Sequence, residues 1–479
     1  MASAPIATSL EREREEQRHW RLLPDFRQMT QFEALLTNEF RDPEEIGRQQ
    51  DQELARVLRF AAARVPFYQG RFAEAGLIPD DTTGSRDLQR LPLLTKAEVQ
   101  ENGKTLRATA LPKGEKAFGW FGSSGTTGRA TRVLHSNTSN WMFTFLEQRQ
   151  LRWFRWNPKG LRADIRVSTQ FPPTAEGQRR PLGSSFKQDR WRYVGRLFET
   201  GGYAGICVTA PLERQIAWLR ETSPDYLMAY PSTLERLAFD LGPAAAEIGV
   251  RGVYAISEQM TAAMRHRTEG NFGIAVDENY GLNEIGRVAQ RCRAGRYHVN
   301  AEHCFVEIVD DEGRPCRPGK IGRLVVTALR NLAMPLIRYE TGDLAMAVEG
   351  PCPCGRTLPA FGTIHGRYRR MAYTPDGTSL QVHCLKVALE SMPRDLNANL
   401  RQYQIRQQRD GSYVIQVTVA EPLPPGFEAW LRQRWEAEIA EPRPDLALQR
   451  VDTIPLSPSG KTEDFVSECA PPAEALPQR

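Results

Sequence analysis

Long apolar runs, strong net charge and lysine are what this sequence of 479 residues lacks. No apolar run approaches the roughly 20 residues that a membrane-spanning helix needs, so we expect no membrane partner. Basic residues outnumber acidic residues by only 63 to 58, and no basic block alternates with aromatics, so a nucleic-acid partner is not predicted. The stretch from Ala2 to Arg21 turns charged almost at once and has no signal-peptide core, so we expect a cytoplasmic protein. Only nine basic residues are lysines, so a lysine in a motif needs a specific reason.

The pattern of short apolar runs predicts an α/β fold. Hydrophobic content of 41% and charged content of 25% are typical of globular proteins, and the length suggests roughly two to four domains. Between Gly205 and Ile256, β-like runs alternate with amphipathic helices, which is typical of βαβ units and a mostly parallel sheet. Phe305–Val309 and Gly322–Thr327 instead predict antiparallel strands joined by a turn.

The chain changes character after Gly366-Arg367, where a compact α+β segment begins. We therefore predict a large N-terminal domain, residues 1–367, with mixed and parallel sheets and helices. A hinge would join it to a small α+β C-terminal domain, residues 368–479.

A polar loop follows the predicted strand Ala117–Phe121. It supplies two glycines, four hydroxyls and a guanidinium, from Ser123, Ser124, Gly125, Thr126, Thr127, Gly128 and Arg129. Glycines let backbone N–H groups close around an anion, and hydroxyls add donors, so the loop is suited to nucleotide phosphates. The spacing differs from the Walker-type loop, and a plain polar surface turn is the alternative for such a cluster taken alone.

Four more stretches, in chain order, place polar groups at turns. Asn279-Tyr280-Gly281-Leu282-Asn283-Glu284 follows a β-like run, and Pro335–Asp343 ends an apolar strand in a turn that carries an aspartate. His365-Gly366-Arg367 lies at the predicted domain boundary, and Ser457–Lys461 presents a lysine on a turn.

In this order the stretches resemble the adenylate-forming superfamily of acyl-CoA ligases and adenylation domains. The branch they resemble is the phenylacetate–CoA ligase family. Three further matches support this resemblance, namely Val65-Pro66-Phe67-Tyr68 with Ala75-Gly76, Leu91-Pro92 with Thr95-Lys96, and Tyr230-Pro231-Ser232. The resemblance covers residues 50–465 and implies that residues 1–367 form an adenylation domain.

The resemblance also implies roles for these residues, in a reaction in which a carboxylate attacks the α-phosphate of ATP. Residues 123–129 would grip the β- and γ-phosphates, with Thr126 and Arg129 counted as catalytic. Glu284 would hold Mg²⁺, and Lys461 would stabilise charge in the transition state. Asp343 would bind the ribose hydroxyls and Arg367 the ribose or phosphate, while two short stretches would flank the adenine, Ser257-Glu258-Gln259 and Asn279-Tyr280-Gly281.

Each assignment has a plainer alternative. Glu284 could cap a helix, Asp343 could be a turn aspartate, Arg367 a hinge-side salt bridge, and Lys461 a solvated turn lysine. The chain also departs from the family pattern at Arg129, where lysine is commoner, at Ala130, where proline is usual, and at Arg369, the predicted pivot of domain rotation. These departures bear mainly on how the second half-reaction proceeds.

A second group of residues, three cysteines and a histidine, has no predicted role in ATP binding. Cys292, His298, Cys352 and Cys354 supply three sulfurs and one imidazole, the donor set of a structural zinc site with no position left for water. Some members of the resembled family bind zinc at such a set, and the alternative is four residues without a metal.

The leading hypothesis is an AMP-forming ligase that joins a small aromatic carboxylic acid to coenzyme A. The candidates to line the acid pocket are Trp141, Phe143, Phe145, Tyr254 and Tyr280. A second hypothesis keeps the adenylation but passes the acyl group to an amine, hydroxyl or carrier-protein thiol in secondary metabolism. A third is a nucleotide-binding protein that has lost catalysis. The sequence discloses neither the acid nor the oligomeric state, and a homodimer stays open.

Overall fold

A computed structural model describes most of the chain, and it has the predicted α/β architecture. The described residues are 20–23, 35, 37–122, 131–174, 176–178, 180–181, 183–367, 385, 388–389, 392–397, 399–419, 421–438, 443–455 and 465–468. The predicted phosphate loop, the pivot Arg369 and the lysine Lys461 therefore lie outside the described residues. The domain boundary after residue 367 stays a prediction for the same reason.

A helical layer opens the described chain. Helix α1 (Pro43–Arg64) begins at Asp42, whose side chain accepts hydrogen bonds from two backbone N–H groups of the first turn, and α2 (Pro66–Glu74) follows directly. Short helices α3 (Ser85–Leu88) and α4 (Lys96–Glu101) come next, and Thr95 caps α4 with Glu98 in a reciprocal capping box. Hairpin β1 (Ala117–Gly122) and β2 (Arg132–Ser136) then flanks the predicted phosphate loop.

A nine-stranded sheet forms the centre of the large part of the chain, which comprises the described residues up to 367. Its strands in spatial order are β14 (Ala360–Phe361), β10 (Tyr297–Val299), β9 (Gly286–Arg291), β8 (Val276–Leu282), β7 (Gly252–Ala255), β6 (Tyr226–Ala229), β3 (Arg162–Arg166), β5 (Tyr203–Cys207) and β4 (Ser185–Gln188). The run from β5 to β8 is parallel, as the alternating pattern predicts, and both margins are antiparallel. Helices α5 (Asn137–Trp153), α6 (Leu212–Thr222), α7 (Pro231–Leu241) and α8 (Ala262–Phe272) belong to the same part.

Two smaller sheets complete the described fold. The predicted antiparallel pair is confirmed as β11 (Cys304–Val309) and β12 (Ile321–Ala328), which continues to β13 (Tyr339–Met346) and β15 (Ile364–Arg367). The C-terminal sheet has the order β18 (Leu446–Arg450), β17 (Tyr413–Val419), β16 (Leu400–Gln407), β19 (Phe465–Ser467), with helices α9 (Arg394–Asn397) and α10 (Phe427–Glu438) and a hydrophobic core of its own.

The C-terminal sheet contacts the large part through two arginines. Arg267 on α8 donates a hydrogen bond of 2.8 Å to the carbonyl of Leu400. Arg401 places its guanidinium 4.3 Å from the centre of the Phe239 ring on α7. Within the described residues, no helix is long and apolar enough to cross a membrane.

Candidate active site

The turn after β8 and the strand β13 bring three of the predicted site residues together. The Tyr280 hydroxyl donates a hydrogen bond of 2.6 Å to Oδ2 of Asp343. The Tyr339 hydroxyl lies 3.3 Å from Oε1 of Glu284. All four side chains are buried. The Asp343 carboxylate on β13 is therefore held by a tyrosine of β8, and the Glu284 carboxylate after β8 lies beside a tyrosine of β13.

Strand β15 brings two more of the predicted motifs, residues 365–367 and residues 257–259, to the same place. Its residue Arg367 pairs in register with Asp343 of β13, which brings the predicted boundary motif beside the aspartate. Gln259 donates a hydrogen bond of 2.9 Å to the carbonyl of Ile364, so the 257–259 stretch lies against β15 as well. Ser257 has a φ of 65°, which is uncommon for a residue other than glycine and is typical of functional turns.

The hairpin before the phosphate loop is tied to the Glu284 turn. The Asn283 side-chain amide donates a hydrogen bond of 2.9 Å to the carbonyl of Gly122, the last residue of β1. Ser123 to Arg129 follow directly and lie outside the described residues, as does Lys461. Their roles stay predictions, but the strand that leads into the loop reaches the site.

Two histidines that the motifs do not contain hold the backbone on both sides of Glu284. Nε2 of His135 lies 3.1 Å from the carbonyl of Asn283, and Nε2 of His303 lies 2.8 Å from the carbonyl of Ile285. Burial lowers the pKa of each histidine from 6.5 to about 4, so both rings are neutral at pH 7. A carbonyl only accepts, so Nε2 carries the proton in both rings, and Nδ1 of His135 accepts from the Ser139 hydroxyl at 3.0 Å. The sequence offered one weak signal, the scarcity of histidine at seven residues.

A chain of buried polar side chains leads away from the predicted adenine stretch. The Tyr254 hydroxyl donates a hydrogen bond of 2.7 Å to Oδ1 of Asn279, and Arg287 donates one of 3.1 Å to that hydroxyl. Arg287 also pairs with Glu147 at 3.2 Å, and its guanidinium lies 4.5 Å from the Phe143 ring centre. Of these two acid-pocket candidates, Phe143 is partly exposed, whereas Tyr254 is 1% exposed and belongs to the hydrophobic core.

Phe145 is a second acid-pocket candidate that the structure places in the core. Phe145 is 1% exposed and packs edge-on against Phe198 at 6.5 Å, so it belongs to the hydrophobic core. The helical period explains the error, because Phe143 and Phe145 lie on different faces of α5 and only Phe143 stays partly exposed.

The predicted metal ligands converge in a separate cluster. The donor atoms of Cys292, His298, Cys352 and Cys354 all lie within 4.8 Å of one another. The Cys292 and Cys352 sulfurs are 3.6 Å apart, and the Cys354 sulfur is 3.3 Å from Nε2 of His298. Nδ1 of His298 lies 3.2 Å from the Leu358 carbonyl, an arrangement that leaves Nε2 for a metal. Three thiols and one imidazole at these distances fit a tetrahedral zinc ion.

The thiols of this cluster share one favoured thiolate. The hydrogen bond from Cys354 lowers the pKa of Cys292 to about 3, and the same contact raises the pKa of Cys354. The cluster follows β9, whose opposite end adjoins Glu284. Six residues of strand separate Gly286 from Cys292, or roughly 20 Å. That distance favours a structural ion over one that takes part in chemistry.

Curated relatives show what the chain is similar to. It is 31% identical over 353 residues to a phenylacetate–coenzyme A ligase of Escherichia coli, covering 70% of this chain and 75% of that protein. It is 28% identical over 397 residues to a phenylacetate–coenzyme A ligase of Thermus thermophilus, covering 79% and 83%. No protein-family model matches the chain.

Solved structures show the same fold at low sequence identity. A 2-hydroxyisobutyryl-CoA ligase in a postadenylation state superposes with a TM-score of 0.69 at 18% identity, over 90% of this chain and 91% of that one. A benzoate CoA ligase from Burkholderia xenovorans superposes with a TM-score of 0.52 at 14% identity, over 74% and 69%.

Proposed function

Because the chain belongs to the phenylacetate–coenzyme A ligase family, we propose that it activates a small aromatic carboxylic acid with ATP and transfers the acyl group to coenzyme A. The observation that carries this proposal is a pair of crossed contacts, in which Tyr280 binds Asp343 and Tyr339 lies beside Glu284. The plainer alternatives of a helix cap and an isolated turn aspartate would not require the segments that carry the two carboxylates to contact each other in this way.

The proposed reaction has two half-reactions. In the first, a carboxylate oxygen of the acid forms a bond to the α-phosphorus of ATP while the bond to pyrophosphate breaks. In the second, the thiol sulfur of coenzyme A bonds to the acyl carbon, the thiol proton leaves, and AMP departs. The first step brings two anions together, so it needs positive charge and alignment from the protein. We assign that charge to Arg129 and Lys461.

The described residues would orient the nucleotide. Asp343, fixed by the Tyr280 hydroxyl, would accept hydrogen bonds from the ribose hydroxyls. Glu284, held between the carbonyls that His135 and His303 bind, is a carboxylate of the kind that Mg²⁺ prefers. Bound Mg²⁺ would neutralise phosphate charge. The Cys/His cluster would hold zinc as a structural ion, which supports β9 and β10.

The experiment is pyrophosphate exchange with a panel of aryl and short aliphatic acids. We expect aryl acids to support exchange, and Lys461→Ala to abolish it without lowering the thermal midpoint. Lys320→Ala is a matched control, because Lys320 is an exposed lysine that also follows a glycine. Unchanged exchange in Lys461→Ala would contradict the catalytic assignment of Lys461. If none of the acids supported exchange, the proposed function would be wrong.

The acceptor is tested by adding coenzyme A to the same reaction. Both curated relatives above are named as coenzyme A ligases, which supports coenzyme A over an amine, a hydroxyl or a carrier protein. Thioester formation on adding coenzyme A is the expected result. Adenylate that accumulates without thioester would favour the route of secondary metabolism.

The cellular setting and assembly belong to the same proposal. Four closely placed zinc-binding side chains with free thiols suit a reducing cytoplasm. A homodimer would be tested by light scattering of the purified protein.

A further inference from the structure

Two arginines without carboxylate partners lie where the parallel strands end. Arg166 is the last residue of β3, and the neighbouring strand β6 ends just before Tyr230. The Tyr230 hydroxyl accepts a hydrogen bond of 3.4 Å from the Val167 backbone and lies close to the Arg166 guanidinium. The carboxyl ends of parallel strands are where open α/β sheets bind ligands.

The carboxylates nearest to Arg166 form ion pairs with other arginines. Arg162 pairs with Glu147 at 3.0 Å and Asp164 at 2.9 Å, and Arg287 shares Glu147 at 3.2 Å. These carboxylates are thus already engaged, and no carboxylate of the described residues lies at ion-pair distance from Arg166. Asp164 faces Arg166 only through a longer-range attraction. The neutral partners of Arg166 are Gln170, at 3.5 Å, and the Tyr230 hydroxyl.

A second guanidinium, that of Arg192, lies within electrostatic range of the same Tyr203 hydroxyl as Arg166. Arg192 lies 4.5 Å from the centre of the Tyr193 ring and has no carboxylate at ion-pair distance within the described chain. Nε of Arg166 and Nη1 of Arg192 are both buried without a hydrogen-bond partner there. Burying an N–H donor without an acceptor is costly, so these two nitrogen atoms indicate a missing oxygen acceptor.

The ring between these arginines is held in a strained conformation. Tyr193 has φ 59° and ψ −77°, a combination that costs free energy for a residue with a side chain. Its ring packs edge-on against Phe143 at 5.3 Å. Phe143, Tyr193, Arg166 and Arg192 all stay partly exposed, so they can meet a ligand.

This group of residues adjoins the proposed nucleotide site by two routes. The Phe143 ring centre lies 4.5 Å from the Arg287 guanidinium, which donates a hydrogen bond of 3.1 Å to the Tyr254 hydroxyl. That hydroxyl in turn donates one of 2.7 Å to Asn279. Tyr230 leads to Glu258, which accepts a hydrogen bond of 3.1 Å from the Ser232 backbone. The group is therefore placed to meet the end of the acid that points away from the reacting carboxylate.

We propose that Arg166, with Arg192 and Tyr193, selects an aromatic acid that carries a second oxygen acceptor, a hydroxyl or a carboxylate, at its far end. This inference rests on the proposed function and narrows its substrate class. An unsubstituted ring would leave Nε of Arg166 and Nη1 of Arg192 without a hydrogen-bond partner. The bound oxygen accepts charge-assisted hydrogen bonds, which are among the stronger polar contacts in proteins.

The test compares matched acids in pyrophosphate exchange. Phenylacetate, its 3- and 4-hydroxy derivatives and its 3- and 4-carboxy derivatives are assayed with the wild-type protein and with Arg166→Met, Arg166→Lys and Arg214→Met. We expect at least one oxygen-bearing acid to have a KM about tenfold lower than phenylacetate. Arg166→Met abolishes that preference and Arg166→Lys keeps part of it. Arg214, an exposed surface arginine paired with Glu221, is the matched control. The hydroxy and carboxy arms separate the two kinds of acceptor.

Phenylacetate equal to or better than every substituted acid would overturn the inference, as would an equal loss for all acids in Arg166→Met. Binding of the same acids, measured by calorimetry in the presence of ATP, separates this inference from the proposed function. A binding preference that Arg166→Met removes, without exchange in the wild-type protein, would sustain the pocket and contradict the ligase. If the wild-type protein bound all the acids equally well, this inference would be wrong, but the proposed function would not be contradicted.

Discussion

At the scale of single residues, the Glu284 turn depends on two neutral histidines as much as on its own motif. His135 comes from the end of β2 and His303 precedes β11, so both are distant in sequence from the turn they hold. The motif could be found from the sequence because a glycine turn with a carboxylate follows a strand. The histidines could not, because nothing local links them to residues 283–285.

These histidines should make stability depend on pH. Their pKa values fall from 6.5 unfolded to about 4 folded, so the unfolded chain binds more protons between those values. The free energy of unfolding is therefore full above pH 6.5 and declines as the pH falls towards 4, by about 3 kcal/mol for each histidine.

The double variant His135→Gln and His303→Gln keeps a donor near each Nε2 but cannot titrate. Denaturant unfolding across pH 4 to 7 should show a shallower decline for the variant than for the wild type. Other titrating groups cancel in that comparison, and identical slopes would contradict the assignment of neutral rings.

At the scale of elements, the site is made by strand neighbours that the sequence does not specify. The sequence predicted β11 and β12, because alternation is a local signal. Residues 279–282 and Asp343, which it predicted on turns, instead lie within β8 and β13. The register of paired strands is not a local signal and could not be predicted. Asp343 lies beside Arg367 because β13 pairs with β15, and it contacts Tyr280 because β13 contacts β8. The correction at Phe145 is of the same kind, because tertiary packing decided which face of α5 is core.

The contact between β8 and β13 should matter for nucleotide binding. Tyr280→Phe removes the hydroxyl that fixes Asp343, and we expect the KM for ATP to rise about tenfold, the usual cost of a hydrogen bond to a charged group. The turnover number should change little, because the reacting atoms are not touched.

Tyr297→Phe provides the matched control for this variant. Tyr297 on β10 also donates to a buried carboxylate, that of Glu278, which has no predicted role in nucleotide binding. It should lower the thermal midpoint without raising the KM for ATP. Equal effects of both variants on that KM would show that Tyr280 acts only through general stability.

At the scale of the whole molecule, the proposed nucleotide site and the proposed zinc site lie at opposite ends of β9. The sequence could predict the ligand set from residue type, and the structure brings all four donor atoms within 4.8 Å. Trp153 packs edge-on against His298 at 5.8 Å, and Arg356 lies 3.8 Å from the Trp153 ring, so the cluster is part of a wider packed region.

Removing zinc should therefore affect stability before activity. We expect one zinc ion per chain by elemental analysis, and Cys292→Ala or a strong chelator should lower the thermal midpoint by several degrees. The turnover number of protein that remains folded should stay close to that of the wild type. Cys316→Ala is the control, because Cys316 lies outside the cluster. Full stability in metal-free protein, or a zinc content near zero, would count against the site.

The two arginine contacts between the C-terminal sheet and the large part have a consequence for the catalytic cycle. If the small domain rotates after adenylation, as the family resemblance implies, Arg267 must release the Leu400 carbonyl and Arg401 must leave Phe239. Together these contacts are worth about 2 kcal/mol, a few times thermal energy. These two contacts alone would favour one orientation of the C-terminal sheet without preventing the enzyme from leaving it in each turnover.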